Sequence, residues 1–186
     1  PAGASFLFMT AHTMASSATV AKIGMGPYIT VLKTTDDGLT YTDYSDNAQD
    51  GSTSTDVTLS SLGTAAQGDY VYVGAHRPFR GVTVDIDAAN SNASVLTATN
   101  WNGSSWAALS VTDNTASGGA TFAQDGTIVW TVPSGWAVTK VDKRELFWVR
   151  FQVSAALDST STSNSFLPLP SSTERFELIS GQSVEL

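Results

Sequence analysis

The sequence predicts an all-β fold, an antiparallel β-sandwich of jelly-roll-like form with a β-rich arm at its N-terminal end. Three observations point there. Clusters of Gly, Asn, Asp and Ser recur at short intervals, β-branched and aromatic runs fill the spaces between them, and several of those runs alternate apolar with polar residues. Residues 11–21 come nearest to an amphipathic helix, with Met14 and Ala18 on one face. Their serines and threonines compete for backbone hydrogen bonds and argue against it.

Taken in chain order, strand-like pieces fall at residues 6–10, 19–23, 28–33 and 39–44, followed by the loop-forming Asp50-Gly-Ser-Thr-Ser-Thr55. A short helical turn is expected at Ser61-Leu-Gly or at Ser134-Gly-Trp136. The clearest strands are 70–73, 81–86, 94–99, 127–132 and 146–153. In the last, Phe147, Val149, Phe151 and Val153 take one face, and Leu146, Trp148, Arg150 and Gln152 the other. Trp148 thus stands on a mixed face, where its indole N–H can find a partner. Asn102-Gly103, inside Trp101-Asn-Gly-Ser-Ser-Trp106, predicts a type I′ hairpin turn, with residues 107–111 as the returning strand. A loop follows at Asp158-Ser-Thr-Ser-Thr-Ser-Asn164. Phe166-Leu-Pro-Leu-Pro170 then leads to a last strand near 175–179. The chain therefore divides into an N-terminal β-rich arm (1–55), a sandwich core (56–157) and a loop with a C-terminal strand (158–186).

Length and composition narrow the chemistry. At 186 residues and 41% hydrophobic content the chain suits one domain with an irregular extension, large enough to fold without a metal or disulfide staple. The absence of cysteine removes disulfides, thiolate metal sites and cysteine nucleophiles. Charged residues supply only 14%, against roughly a quarter in average proteins. Serine and threonine fill the gap, at about a quarter of the chain. A net charge of −8 and scattered basic residues, clustered only from Lys140 to Arg144, speak against nucleic acid and anionic membrane surfaces as partners. The opening Pro1-Ala-Gly-Ala-Ser-Phe-Leu-Phe lacks the basic and apolar regions of a signal peptide, so the expectation is a cytoplasmically made chain.

Six motifs in a fixed order carry a resemblance. These are Gly68-Asp-Tyr-Val-Tyr-Val-Gly74, Phe79-Arg-Gly-Val-Thr-Val-Asp85, Trp101-Asn-Gly-Ser-Ser-Trp106, Asp125-Gly-Thr-Ile-Val-Trp130, Val132-Pro-Ser-Gly-Trp136 and Phe147-Trp-Val-Arg150. Their succession, over about residues 56–157, resembles a β-sandwich module of tailed-bacteriophage virion proteins. That resemblance implies a structural part: a capsid decoration or cement protein bridging major capsid subunits, or a tail or baseplate component. By analogy it implies a trimer on the capsid exterior. The size of this chain favours decoration.

No enzyme is expected. The two histidines, His12 and His76, sit in no motif of a nucleophilic triad, and neither a Gly-x-Ser-x-Gly elbow nor a phosphate loop occurs. Asp36, Asp37, Asp43, Asp46, Asp50 and Asp56 lack the spacing of a calcium loop and read as solvated loop residues, so no metal or cofactor is expected. The apolar run Phe6, Leu7, Phe8 and Met9, together with Phe166, Leu167 and Leu169, forms the candidate contact set toward capsid or other virion proteins. The five tryptophans read mainly as core. Trp106 and Trp136, nearest to turns, are the candidates for exposure, and an exposed pair would favour a different function, a carbohydrate-binding module recognising a host surface. Arg150 and Asp85 are expected to pair inside the sandwich.

Overall fold

The structure, a computed structural model, describes residues 29–171 apart from Gly51, Ser61 and Thr64. The strands expected at 6–10, 19–23 and 175–179, and the candidates Phe6, Leu7, Phe8 and Met9, lie outside these residues. Within them the fold is an antiparallel β-sandwich. Its larger sheet runs in the order β2 (Thr42–Asp43), β1 (Ile29–Thr34), β4 (Tyr70–Ala75), β11 (Arg144–Val153), β6 (Leu96–Trp101), β7 (Trp106–Leu109), with β10 (Val138–Val141) also paired to β11. The smaller sheet runs β3 (Val57–Thr58), β12 (Thr162–Pro170), β5 (Phe79–Ala88), β9 (Gly126–Trp130), β8 (Val111–Asp113). A single 3-10 turn at Ala65–Gln67 precedes β4; of the expected turns, Ser61 lies outside the described residues, and Leu62-Gly63 and residues 134–136 are not helical.

The sandwich does not stop at the expected boundaries. β1 pairs with β4 along its whole length, from Ile29↔Ala75 to Thr34↔Tyr70, and β12 pairs with β5 from Thr162↔Ala88 to Pro170↔Phe79. The loop expected at 158–164 therefore already contains the start of a strand. The proline pair hid it, because proline reads as a strand breaker. Here the prolines fall on an edge: the N–H of Phe166 points away from β5 to Ala48 O at 3.0 Å, and Pro168, two residues on, has no N–H to offer on that side.

Alternation places the core. Val149, Phe151 and Val153 of β11, Val71, Val73 and Ala75 of β4, and Val82 and Val84 of β5 all face the space between the sheets. Two tryptophans fill its centre. Trp130 meets Phe79 at 5.3 Å and donates its indole N–H to Phe79 O at 2.9 Å; Trp136 meets Phe79 at 5.2 Å and donates to Trp148 O at 3.1 Å. Each buried indole thus keeps a hydrogen-bond partner, which removes the cost of burying a bare donor.

A second apolar cluster lies on the outer face of the larger sheet: Leu32, Tyr70, Tyr72, Val141, Leu146 and Trp148, with Tyr41 and Trp106 against it. Trp148 is fully buried there because both of its sides are covered. Below, its ring lies flat on Gly74, its register partner in β4, and a Cβ at that glycine would collide with the ring. Above, the β10–β11 hairpin folds back over the face, and Trp148 Nε1 donates to Thr139 O at 3.1 Å. The hairpin reaches the far edge strand, where Arg144 Nη2 meets Asp43 Oδ2 at 2.6 Å. Its two turn residues, Asp142 and Lys143, have φ of 43° and 68°, the left-handed geometry of a type I′ turn built without glycine.

The Trp101–Trp106 hairpin also differs from expectation. Gly103 has φ 98° while Asn102 stays at negative φ, and Asn102 N donates to Ser105 O at 3.0 Å. The two-residue turn is therefore Gly103-Ser104, with glycine first as in type II′. Asn102 instead caps it, its Oδ1 accepting from the N–H groups of Ser104 and Ser105. The chain then leaves the larger sheet at Ser110 and continues as β8 of the smaller one, so residues 107–111 do not form one strand.

Two stability changes follow. Gly74→Ala forces the Trp148 ring off the sheet and lowers unfolding free energy by about 1–3 kcal/mol, the usual cost of overpacking, as read by urea denaturation. Lys143→Gly relieves left-handed strain and raises it by about 0.5–1 kcal/mol, the penalty for an L-residue less the added chain entropy of glycine. A loss of stability in that second variant would contradict the strain.

Candidate functional site

The feature most suited to recognition is the exposed end of the outer aromatic cluster. Strand alternation builds it. Tyr70 and Tyr72 of β4, Trp148 and Arg150 of β11, Thr97, Thr99 and Trp101 of β6 and Trp106 of β7 all project from the same face, with Arg150 paired to Thr99 and Trp101 paired to Trp106. Tyr72 is the hub of the rings, with edge contacts to Tyr41 at 5.8 Å, Trp106 at 5.6 Å and Trp148 at 6.2 Å. Trp101 extends the series by an edge contact to Trp106 at 5.8 Å.

Arg150 is wedged into this stack. Its guanidinium carbon lies 4.4 Å from the centre of the Tyr70 ring and 4.6 Å from that of Trp106, and its Nε donates to Thr99 Oγ1 at 2.9 Å. Cation–π attraction holds the planar group between two ring faces. Burial pushes the Tyr72 hydroxyl up from its ordinary pKa, against the opposing pull of Arg150 beside it. Burial, with Tyr72 and Asp142 nearby, pushes Tyr41 up to about 12. Both tyrosines therefore remain neutral donors across the physiological range.

The residues singled out from the sequence are distributed unevenly about this face. Trp106 lies in it, half-buried. Trp136 does not: it is 7% exposed in the inter-sheet core, because the chain after Pro133 turns inward to meet Phe79 and Phe147. Phe166 is likewise fully buried, against Phe122, whereas Leu167, next in the strand, is 46% exposed. Leu169 is half-buried, its Cδ1 close over Gly81. Arg150 and Asp85 do not pair. They stand on the outward faces of opposite sheets, Arg150 in the aromatic stack and Asp85 exposed beside Val84 of the core face.

The members missed were Tyr70, Tyr72, Thr97, Thr99 and Trp101, and Arg150 in its stacking role. The signal was present as parity. Arg150 is two residues from Trp148 and so shares its face, and a two-residue turn at Gly103-Ser104 sets Trp101 directly opposite Trp106.

Of the acidic series, Asp36, Asp43 and Asp50 are engaged by neighbouring groups. Asp36 Oδ1 accepts from Thr34 Oγ1 at 2.7 Å and from Thr40 N at 2.9 Å, and hydrogen bonds from the Thr40 side chain and backbone hold its pKa down to about 2. Asp50 accepts from Ser52 N and Thr55 Oγ1, and Asp43 from Ser45 and Arg144. Among the described residues no group of His, Cys, Asp or Glu gathers as a metal site would require. His76 is exposed at the end of β4, and His12 lies outside the described residues.

Lys33 is the one buried cation of β1. Its Nζ crosses between the sheets to donate to Thr58 O at 2.9 Å and to Ser60 O. Burial lowers its pKa, and the negative charge of Asp69 offsets part of that. A lysine held below its unfolded value binds fewer protons in the folded state, so stability grows as pH rises toward the ordinary lysine value. Urea denaturation between neutral pH and about pH 10 should therefore show the wild type gaining on Lys33→Met. A constant gap between the two would contradict a depressed lysine.

Compared with known proteins, the chain matches no family model, no curated protein and no solved structure.

Proposed function

We propose that this chain is a structural component of a tailed-phage particle, a decoration or cement protein that stabilises the capsid by bridging neighbouring major capsid subunits. The observation that carries this reading is how the motifs of the resemblance fit one another. Gly74 of the first motif receives Trp148 of the last; the backbone oxygen of Trp148 accepts from Trp136 of the fifth; Trp136 stacks on Phe79 of the second. Trp130 of the fourth motif also donates to Phe79 O. The residues that suggested the module pack against one another as a framework, which supports the reading.

On that framework, attachment falls to exposed apolar groups and to the flanking segments. Leu39, Val95, Val138 and Leu167 are 86%, 63%, 47% and 46% exposed and lie on separate loops and strands. Dispersed small contacts of this kind suit a protein that gains its hold from several simultaneous engagements, where linkage supplies avidity that single contacts lack. The apolar Phe6 to Met9 run and the C-terminal segment are the main contact candidates, with a homotrimer on the outer shell as the assembly. A tail or baseplate position would use the same framework, and electron microscopy of the particle distinguishes the two by location.

Deleting residues 1–14 should reduce co-sedimentation with capsid shells while leaving the thermal unfolding of the sandwich within a few degrees of the full chain. Undiminished co-sedimentation would remove the arm from the attachment role, and failure of the full chain to sediment with shells would remove the function itself.

A further inference from the structure

The hairpin end of the outer face carries chemistry that shell attachment does not call on. Trp101 and Trp106 are half-buried and paired across the β6–β7 hairpin, with Thr97 exposed and Thr99 half-buried alongside and Ala108 leaving a low flank. Arg150 closes the inner side of this shelf. Its fork has five donors, of which Nε is used by Thr99 and another is shared with the Tyr72 hydroxyl, which leaves the others for a ligand, and it makes no ion pair with a carboxylate among the described residues. A guanidinium stacked between two rings is held flat and pre-oriented, the state in which it loses least freedom on gripping a two-oxygen anion.

We infer that the shelf formed by Trp101, Trp106, Arg150, Thr97 and Thr99 binds a pyranose sugar bearing a carboxylate. Each part has a distinct role. The indole of Trp101 offers an apolar face to the C–H groups of the sugar ring, the threonine hydroxyls exchange hydrogen bonds with ring hydroxyls, and the guanidinium accepts the carboxylate in a fork. An aromatic peptide or a neutral sugar would engage the rings but leave the guanidinium unused. A free carboxylate would engage the guanidinium but not the rings. The shelf is shallow and the chain carries net charge −8, so binding is weak and depends on the local fit rather than on long-range attraction. The site belongs to the described sandwich and does not depend on a capsid role.

The test uses the full chain and three probes: the methyl glycosides of glucuronic acid, galacturonic acid and N-acetylneuraminic acid, each beside its methyl ester. Titrations are followed by tryptophan fluorescence and by NMR of the indole N–H signals. At least one acid should bind at millimolar concentration with shifts confined to Trp101, Trp106 and their neighbours, and its ester should bind about tenfold more weakly or worse. Arg150→Lys, which keeps the charge but loses the fork, and Trp101→Ala, which removes only the outermost ring, should each reduce affinity by a similar factor. Their thermal midpoints serve as the folding control. The assignment is overturned if none of the three acids binds, if acid and ester bind alike, if shifts map elsewhere, or if folded Trp101→Ala binds like the wild type.

Discussion

Trp148 joins the two apolar clusters of this fold, and most of the architecture is arranged around it. Its ring rests on Gly74 and is roofed by the hairpin that follows β10, which seals the outer face of the larger sheet. Its backbone oxygen, in the plane of the sheet, receives the indole N–H of Trp136, which stands in the inter-sheet core. One residue therefore packs its side chain on the outer face and lends its backbone acceptor to a tryptophan of the inter-sheet core. Any shift of β11 along β4 would displace both at once, so the register of the central strand pair is fixed twice over. This also explains why β1 and β4 are buried on both faces although the sheet is antiparallel, a class that often leaves one face to water.

Much of this was legible from residue order. The alternation of 146–153 gave both faces of β11 correctly, and the β-branched runs located β4, β5, β6 and β9. What escaped has identifiable causes. The turn at Gly103-Ser104 was read one residue early, because Asn-Gly is the stronger dipeptide signal and Asn102 serves as a side-chain cap. Trp136 was placed near the surface because turn proximity was taken for exposure, while the turn in fact directs it inward. β12 was concealed by its prolines, and the pairing of Arg150 with Asp85 failed because two residues on mixed strands need not belong to the same sheet. Such errors share one origin: local pattern gives the face of a strand but not which sheet, or which edge, the strand will join.

The site reflects the same division. Its individual strands were visible, yet its existence depends on β4, β11, β6 and β7 lying side by side, an order that no local segment encodes. Consecutive strands cross repeatedly between the two sheets, so every row of side chains on the outer face is assembled from parts distant in the chain. Tyr70, Arg150 and Trp106 meet only after that assembly is complete. The stack is therefore also a marker of correct folding, since an intermediate lacking either central pairing cannot hold the guanidinium between its rings.

Pro168 bears on how copies of this molecule behave in a crowd. The net charge of −8 keeps copies apart at a distance, but with only 14% charged residues few charges guard any one strand edge. An open strand at the rim of the smaller sheet would then be an invitation to zip edge to edge into ribbons. A ring nitrogen without hydrogen, on the stretch of β12 that β3 leaves unpaired, leaves one rung of such a ladder unmade. Dispersal in this protein can thus draw on net charge at long range and on a withheld donor at contact.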